Sequence, residues 1–306
     1  MSTRPAALRP DPAVLPPPRV ELRRVEANGV ELNVALAGHG PALLLLHGFP
    51  HTWQVWSEVL APLAAHHLVI APDMRGFGAS ERAAQGYDAN TLAEDARALL
   101  GSLGLSSAAV VALDAGVPPA LSLALRHPHL VDRLVLMESL AGTLPGAEDF
   151  LTDGPPWWFG FHAVPGLAES VLEGNEERYV GFFLDAGTLG EGVPAAVRDA
   201  FIAAYTGHDA LRCAFSYYRA LPLSAQQIQQ AVSQARLTMP TMTIGAHPVG
   251  RALEQQLRPV ADDLTGYALD DCGHIVPLHR PAALLRLLEP FLAARPCSER
   301  LAAPST

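Results

Sequence analysis

The 306-residue chain contains no lysine: all 21 of its basic residues are arginine. With abundant Ala, Leu, Pro and Gly, this points to a GC-rich coding sequence and says nothing about chemistry. Cysteine is almost as scarce. Cys213, Cys272 and Cys297, an odd number at unrelated spacings, suggest neither a disulfide framework nor a zinc cluster, and make a reducing cytoplasm the expected location. Positive charge is also short. A net charge of −10 argues against nucleic acid as a partner, because phosphate binding needs a basic footprint, so a neutral or apolar small molecule is expected instead. No run is long and apolar enough to span a membrane. The first twenty residues, interrupted by Pro5, Pro10, Pro12 and Pro16 to Pro18, lack the apolar core of a signal peptide and read as a disordered tail. No Gly-x-Gly-x-x-Gly opens a helix and no metal-spaced His/Cys/Asp cluster stands out, so neither a metal nor an organic cofactor is expected.

What the chain has is apolar mass: 49% hydrophobic and 17% charged residues suit one large α/β domain with an insertion. Val20 to Val25 and Val30 to Leu36 flank Asn28-Gly29, a strong hairpin signal. Short apolar runs follow at Ala42 to Leu46, His67 to Ala71, Ala108 to Leu113 and Leu134 to Met137. Helix-length segments such as Thr91 to Leu103 and Pro118 to His127 lie between them, an alternation that predicts βαβ units and a mostly parallel sheet with helices on both faces. After Glu138 the rhythm changes to helix-like, aromatic patterns at Phe150 to Phe161, Glu176 to Leu184 and Val197 to Tyr218. Strand-like Thr241 to Ile244 and Gly266 to Leu269 then resume the sheet, and Pro281 to Leu292 gives a final helix. The expected division is a Pro-rich tail over 1–19, a sheet domain over 20–138 and 234–295, a helical cap over 139–233, and a C-terminal tail over 296–306.

Four motifs carry chemistry. Val110-Val111-Ala112-Leu113-Asp114-Ala115-Gly116 reads as a strand that delivers an aspartate to a sharp turn before a helix. His47-Gly48-Phe49-Pro50 directly follows the buried strand Leu43 to Leu46. Asp73-Met74-Arg75-Gly76-Phe77-Gly78-Ala79-Ser80 follows the next strand, and Cys272-Gly273-His274 follows the last. In this order and combination they resemble the α/β-hydrolase superfamily, in its aspartate-nucleophile branch of epoxide hydrolases and dehalogenases, and the resemblance covers Val20 to Leu292.

The resemblance implies the α/β-hydrolase fold with an inserted helical cap. It makes Asp114 the residue of the nucleophile elbow. A carboxylate there attacks an sp3 carbon and forms an alkyl-enzyme ester that water later cleaves. The amides of Phe49 and Ala115 then form the oxyanion hole. His274, whose intrinsic pKa lies near ~6.5, is the base that activates the water, with His279 as a competitor. The segment Gly245-Ala246-His247-Pro248, where many relatives carry the orienting acid, holds no carboxylate. Glu138, at the end of Leu134 to Met137, stands at the other position this branch uses, with Asp270 and Asp271 as alternatives close to His274 in sequence. The cap segments Pro156-Trp157-Trp158-Phe159 and Ser216-Tyr217-Tyr218-Arg219 match those that stabilise the leaving group, with Trp158 in place of the usual cap histidine. An indole N–H only donates, whereas a phenol can also transfer its proton, so Tyr218 is the expected general acid, with Trp158 and Trp157 as auxiliary donors. The chain departs from the family at Ala112-Leu113, where Gly-His is commoner, and at Ala115, where dehalogenases carry Trp or Arg.

These expectations add up to a cofactor-independent epoxide hydrolase that converts an apolar, aromatic or polycyclic epoxide to a vicinal diol. An epoxidised aromatic polyketide of secondary metabolism would suit the aromatic cap. The alternatives are a haloalkane or haloacid dehalogenase with Trp halide donors, favoured by Trp157-Trp158 and disfavoured by Ala115, and a non-hydrolytic ligand-binding or cyclase-like protein. The expected assembly is a monomer or homodimer.

Overall fold

The computed structural model describes residues 19–293; the two expected tails, apart from residue 19, lie outside the described residues. Asn28 and Gly29 take left-handed φ angles of 51° and 74°, the pair a two-residue type I′ hairpin requires. They join β1 (Glu21–Ala27) to β2 (Val30–Ala37) in antiparallel register. β3 (Ala42–Leu46), β4 (Leu68–Pro72), β5 (Ala108–Leu113), β6 (Val131–Met137), β7 (Thr241–His247) and β8 (Leu264–Gly273) are mutually parallel. The eight strands form one sheet in the order β1-β2-β4-β3-β5-β6-β7-β8. β3 and β5 are buried along almost their whole length, which explains why they read as unbroken apolar runs without alternation. Each fully buried leucine of Leu43 to Leu45 contributes about 1.5–3 kcal/mol.

Helices α1 (Ser57–Ala64), α2 (Ala89–Ser102) and α3 (Val117–Arg126) connect the early strands, and α9 (Ala252–Leu257), the short α10 (Val276–His279) and α11 (Pro281–Ala293) serve the late ones. α1 packs with α11 and α2 with α3, which covers both faces of the sheet. Because β3 has β4 on one side and β5 on the other, the connections leave the C-terminal ends of β3 and β5 in opposite directions. The crevice opened at such a switch point is where ligands bind in α/β sheets.

Between β6 and β7 lie α4 (Trp157–Ala163), α5 (Leu167–Leu172), α6 (Glu176–Ala186), α7 (Ala195–Ala204) and α8 (His208–Gln234). Two sequence expectations shift here. Pro155 and Pro156 delay the first helix, whose expected start was Phe150, to Trp157. The segment Val197 to Tyr218 divides at Gly207, whose φ is 95°. α8 then runs for 27 residues despite Pro222 and ties the insertion to the sheet domain. Ser224 Oγ accepts from Ala89 N at 2.9 Å and Gln227 Oε1 from Asn90 N at 3.0 Å, so α8 side chains satisfy amides that the first turn of α2 leaves unpaired. Among the described residues no helix is long and apolar enough to cross a membrane.

Candidate active site

Asp114 directly follows β5 with φ at +51°. A non-glycine residue in that region stores about 1–3 kcal/mol of strain, although aspartate tolerates it better than most. Two glycines make room for the turn. A Cβ on Gly48 would sit 2.4 Å from the Asp114 side chain, and one on Gly116 would sit 2.6 Å from the Leu46 carbonyl oxygen. The loop after β3 therefore runs in contact with the turn after β5, and Phe49 N donates to Asp114 Oδ2 at 2.8 Å.

The other two early motifs hold this loop. His47 Nε2 accepts from Met74 N at 3.0 Å while Nδ1 faces Gly48 O at 2.9 Å, which makes Nδ1 the protonated nitrogen. Burial lowers its pKa and keeps the ring neutral. The Asp73 carboxylate accepts from Asn33 Nδ2, Trp53 N and Ala79 N, each at 2.9 Å. A Cβ on Gly78 would lie 2.3 Å from that carboxylate, which explains the glycine in the Asp73 to Ser80 motif.

Glu138, immediately after β6, also has a left-handed φ of 49° and is only 1% exposed. Its Oε2 lies 3.0 Å from His274 Nδ1, and its Oε1 accepts from Ala246 N at 2.5 Å. The C-terminal end of β7 thus supplies a backbone donor to the carboxylate rather than a carboxylate of its own. On the other side of the ring, His274 Nε2 stands 3.8 Å from Asp114 Oδ1. Burial would lower the pKa of His274, but the nearness and charge of Asp114 and the hydrogen bond and charge of Glu138 outweigh it and raise the pKa to about 10. For Asp114 burial would raise the carboxyl, yet the nearby His274 and its charge, together with Phe49 N–H, hold it below the ordinary range. The resting arrangement is an imidazolium between two carboxylates. The alternative partners lie elsewhere: Asp271 is 81% exposed, 3.5 Å from Arg280 Nε, and Asp270 is exposed. His279 Nδ1 accepts from Gly273 N at 2.8 Å.

Above Asp114 the insertion supplies an aromatic lining around the Phe49 ring, which meets Tyr218 at 5.7 Å, Tyr205 at 5.3 Å, Phe183 at 5.6 Å and His162 at 5.4 Å between centroids. Tyr218 is buried, and among the described residues its hydroxyl has no hydrogen-bond partner. Burial, then the Asp114 charge, raises its pKa well above 10, so it remains a donor. Trp158 packs on Phe183 at 5.4 Å and on Phe159 at 6.1 Å, rings that in turn meet Phe49 and Tyr218. Trp157 is not brought to the site. It is 56% exposed and packs on Phe161, Tyr179 and Phe182, because successive helix residues point about 100° apart. Ala115 is buried directly behind Asp114.

The sequence reading had Trp158 replacing the cap histidine and overlooked His162, one helical turn further on. His162 is fully buried, its ring 4.3 Å from Tyr218 and 4.1 Å from Phe215, with Nε2 2.5 Å from the Tyr179 hydroxyl and Nδ1 unpartnered. Burial, then the Arg219 charge, lowers its pKa to about 3, so it is a neutral imidazole. The i, i+4 spacing from Trp158 was the available signal. His51 was also missed. Its ring is buried against Phe201 with both nitrogens unpartnered, and its carbonyl accepts from Tyr205 Oη at 2.7 Å.

Among the described residues no group of three or more His, Cys, Asp or Glu side chains is gathered as metal ligands. The arrangement offers instead an anchored carboxylate, a charge-paired histidine and hydrogen-bond donors in an apolar enclosure. Comparison with known proteins identifies the family. Residues 41–281 match the model of the alpha/beta hydrolase fold family. The chain is similar to a soluble epoxide hydrolase of Corynebacterium sp. (strain C12), with 29% identity over 87% of this chain and 95% of that protein. It is also similar to a fluoroacetate dehalogenase of Burkholderia sp., with 35% identity over 39% of this chain and 40% of that protein. Among solved structures it resembles wild-type Cfl2 from Burkholderia cenocepacia, with a TM-score of 0.79 and 30% identity over 92% of this chain and 98% of that one. A strand order, a strained turn after β5 and a family match that spans the sheet on both sides of the insertion all lead to one assignment: the chain belongs to the α/β hydrolase family.

Proposed function

We propose that this hydrolase is an epoxide hydrolase of the aspartate-nucleophile branch, acting on an apolar, aromatic or polycyclic epoxide. We read residues 20–138 and 234–295 as its catalytic domain and 139–233 as a cap over the site. The observation that carries the reading is the division of labour between the two Asp114 oxygens. Oδ2 is held by Phe49 N–H, while Oδ1 faces His274 Nε2. Oδ1 attacks an epoxide carbon, the C–O bond breaks, and its electron pair leaves on the ring oxygen, which takes a proton from Tyr218. His162 and Trp158 assist as donors beside it. Alkylation cancels the Asp114 charge, so His274 gives up the proton that this charge had held, which restores Tyr218. Neutral His274, oriented by Glu138, then deprotonates a water that attacks Asp114 Cγ. Oδ2 carries the resulting negative charge at the Phe49 and Ala115 amides. Collapse breaks the Cγ–Oδ1 bond, the departing oxygen takes the proton back from His274 to complete the diol, and the carboxylic acid left on Asp114 passes its proton to His274, which restores the resting charge pair.

The dehalogenase alternative draws support from the similarity to fluoroacetate dehalogenase. The exposure of Trp157 weakens it, since one indole of the pair faces away from Asp114. Single turnover of styrene oxide in H2(18)O tests both readings. Label should enter the Asp114 peptide while the first diol carries unlabelled oxygen, and His274→Gln should accumulate the covalent adduct. Turnover without label in Asp114 would overturn the ester route, and halide release from a haloalkanoate without epoxide turnover would favour the alternative.

A further inference from the structure

Resting on that ester route, we propose that the loop Gly187–Glu191 of the insertion positions the catalytic histidine, with Glu191 acting through His279 as a positioning residue for the hydrolytic half-reaction.

The residues on both sides of His274 are held by groups belonging to, or anchored by, this loop. Ile275 N donates to Gly187 O at 2.9 Å. A Cβ on Gly273 would lie 2.5 Å from that same carbonyl oxygen, so the two backbones touch. Gly273 N donates to His279 Nδ1 at 2.8 Å, which places the ring proton on Nε2. That nitrogen lies 3.3 Å from Glu191 Oε1, a close contact too misaligned to be a hydrogen bond. The same carboxylate forks onto Arg280 at 2.8 and 2.9 Å. The Arg280 hydrogen bonds, then His279, lower the Glu191 carboxyl to about 2, so it remains ionised.

The loop is itself stiffened. Leu189 has a left-handed φ of 53°, one of four non-glycine residues with positive φ among those described; Asp114 and Glu138 are two of the others. Thr188 Oγ1 donates to Leu184 O at 2.8 Å and accepts from Gly192 N at 2.8 Å, and Gly190 N donates to Asp185 O at 2.8 Å. A strained, self-bonded loop at the edge of the insertion is more than a tether needs. It suits a part that must present one carbonyl and one carboxylate at fixed positions.

Alkylation of Asp114 requires only a carboxylate and a donor for the leaving oxygen. Ester hydrolysis requires His274 Nε2 aimed at a water beside Cγ, and loss of aim is costly in rate. The two steps should therefore respond differently to loss of Glu191. Glu191 is 58% exposed, and such surface pairs add little to global stability, so the variant folds.

The test uses the full chain labelled with 15N-histidine, in the wild type, Glu191→Ala, Glu191→Asp, and Glu177→Ala as an exposed charge control on the same insertion. The low-field Nδ1–H resonance of His274, held by Glu138, should broaden or move upfield in Glu191→Ala and be recovered in Glu191→Asp. In single turnovers of styrene oxide, ester hydrolysis should slow about tenfold in Glu191→Ala while ester formation stays near the wild-type rate, so that the adduct accumulates in the intact mass. An unchanged His274 resonance together with unchanged hydrolysis would overturn the proposal. So would formation and hydrolysis falling in parallel, which marks loss of folded enzyme. If neither wild type nor His274→Gln forms an adduct or takes label into Asp114, the ester route fails instead, and the resonance alone then decides whether Glu191 positions His274.

Discussion

Replacing Asp114 by Asn should release the proton of His274. The Asp114 Oδ1 and His274 Nε2 atoms are 3.8 Å apart, and at an effective dielectric constant of about 20 two unit charges at that distance attract by about 4 kcal/mol. This corresponds to about three pH units. With Asp114 ionised His274 is pushed up to about 10, so in Asp114→Asn it should titrate nearer neutrality, with the Glu138 pair still intact. The assay is an NMR titration of 15N-histidine protein, with His274 assigned through His274→Gln. The same variant mimics the charge of the alkyl-enzyme, so the shift measures how far ester formation turns an acid into a base. A His274 titration that stays near 10 in Asp114→Asn would refute the reasoning, because Asp114 would then not be what holds the proton. A stability signature follows from the same pairing. The folded-state pKa of His274 is raised above the ordinary value of ~6.5, so its contribution is full below pH ~6.5 and is lost as pH rises toward 10. Wild-type Tm should fall across that window, and His274→Gln should show a smaller fall.

Other perturbations separate the parts of the site. Tyr218→Phe should slow ester formation from styrene oxide about 100-fold without affecting hydrolysis of ester already formed, and His162→Gln should slow the same step less; stopped-flow single turnovers read both, and an unchanged formation rate in Tyr218→Phe would remove it as the acid. Glu138→Ala leaves the Ala246 N–H without its partner at 2.5 Å and should cost about 1–3 kcal/mol in urea unfolding, while the covalent adduct persists because His274 has lost its orienting carboxylate. Gly48→Ala places a methyl group 2.4 Å from the Asp114 side chain and should abolish adduct formation while the far-UV spectrum stays unchanged; retained alkylation would show that the loop after β3 can retreat.

The sheet was legible because its signals are local. Asn28-Gly29 fixes a hairpin, and the buried runs of β3 and β5 have the composition that only a strand covered on both faces has. Asp114, Glu138 and His274 were legible because each ends a strand, and parallel strands in one sheet bring their C-terminal ends to one edge. The insertion was harder to read, since helices packed through aromatic residues give amphipathic patterns whose ends depend on single residues such as Pro156 and Gly207. His162 shows the limit. It lies one residue beyond the expected helical segment ending at Phe161, and only the crossing of α4 and α8 brings it to Tyr218. Trp157 shows the reverse case, since two adjacent tryptophans on one helix cannot both face inward. α1 fills one of the expected gaps between apolar runs, but its bounds could not be read, because Pro62 lies inside it and proline argues against a helix interior in sequence.

The hydrogen bond from Ala246 to Glu138 bears on how such a site can be remodelled in descent. Two neighbouring strands, β6 and β7, both end beside the same imidazole, and here one provides the carboxylate while the other provides the amide that steadies it. Because both termini meet at one carboxylate, the acid could migrate from one strand to the other through ancestors that carried both or, briefly, neither, without the histidine loop being rebuilt. A double exchange that removes the carboxylate at 138 and introduces one at 246 would retrace that move in the laboratory.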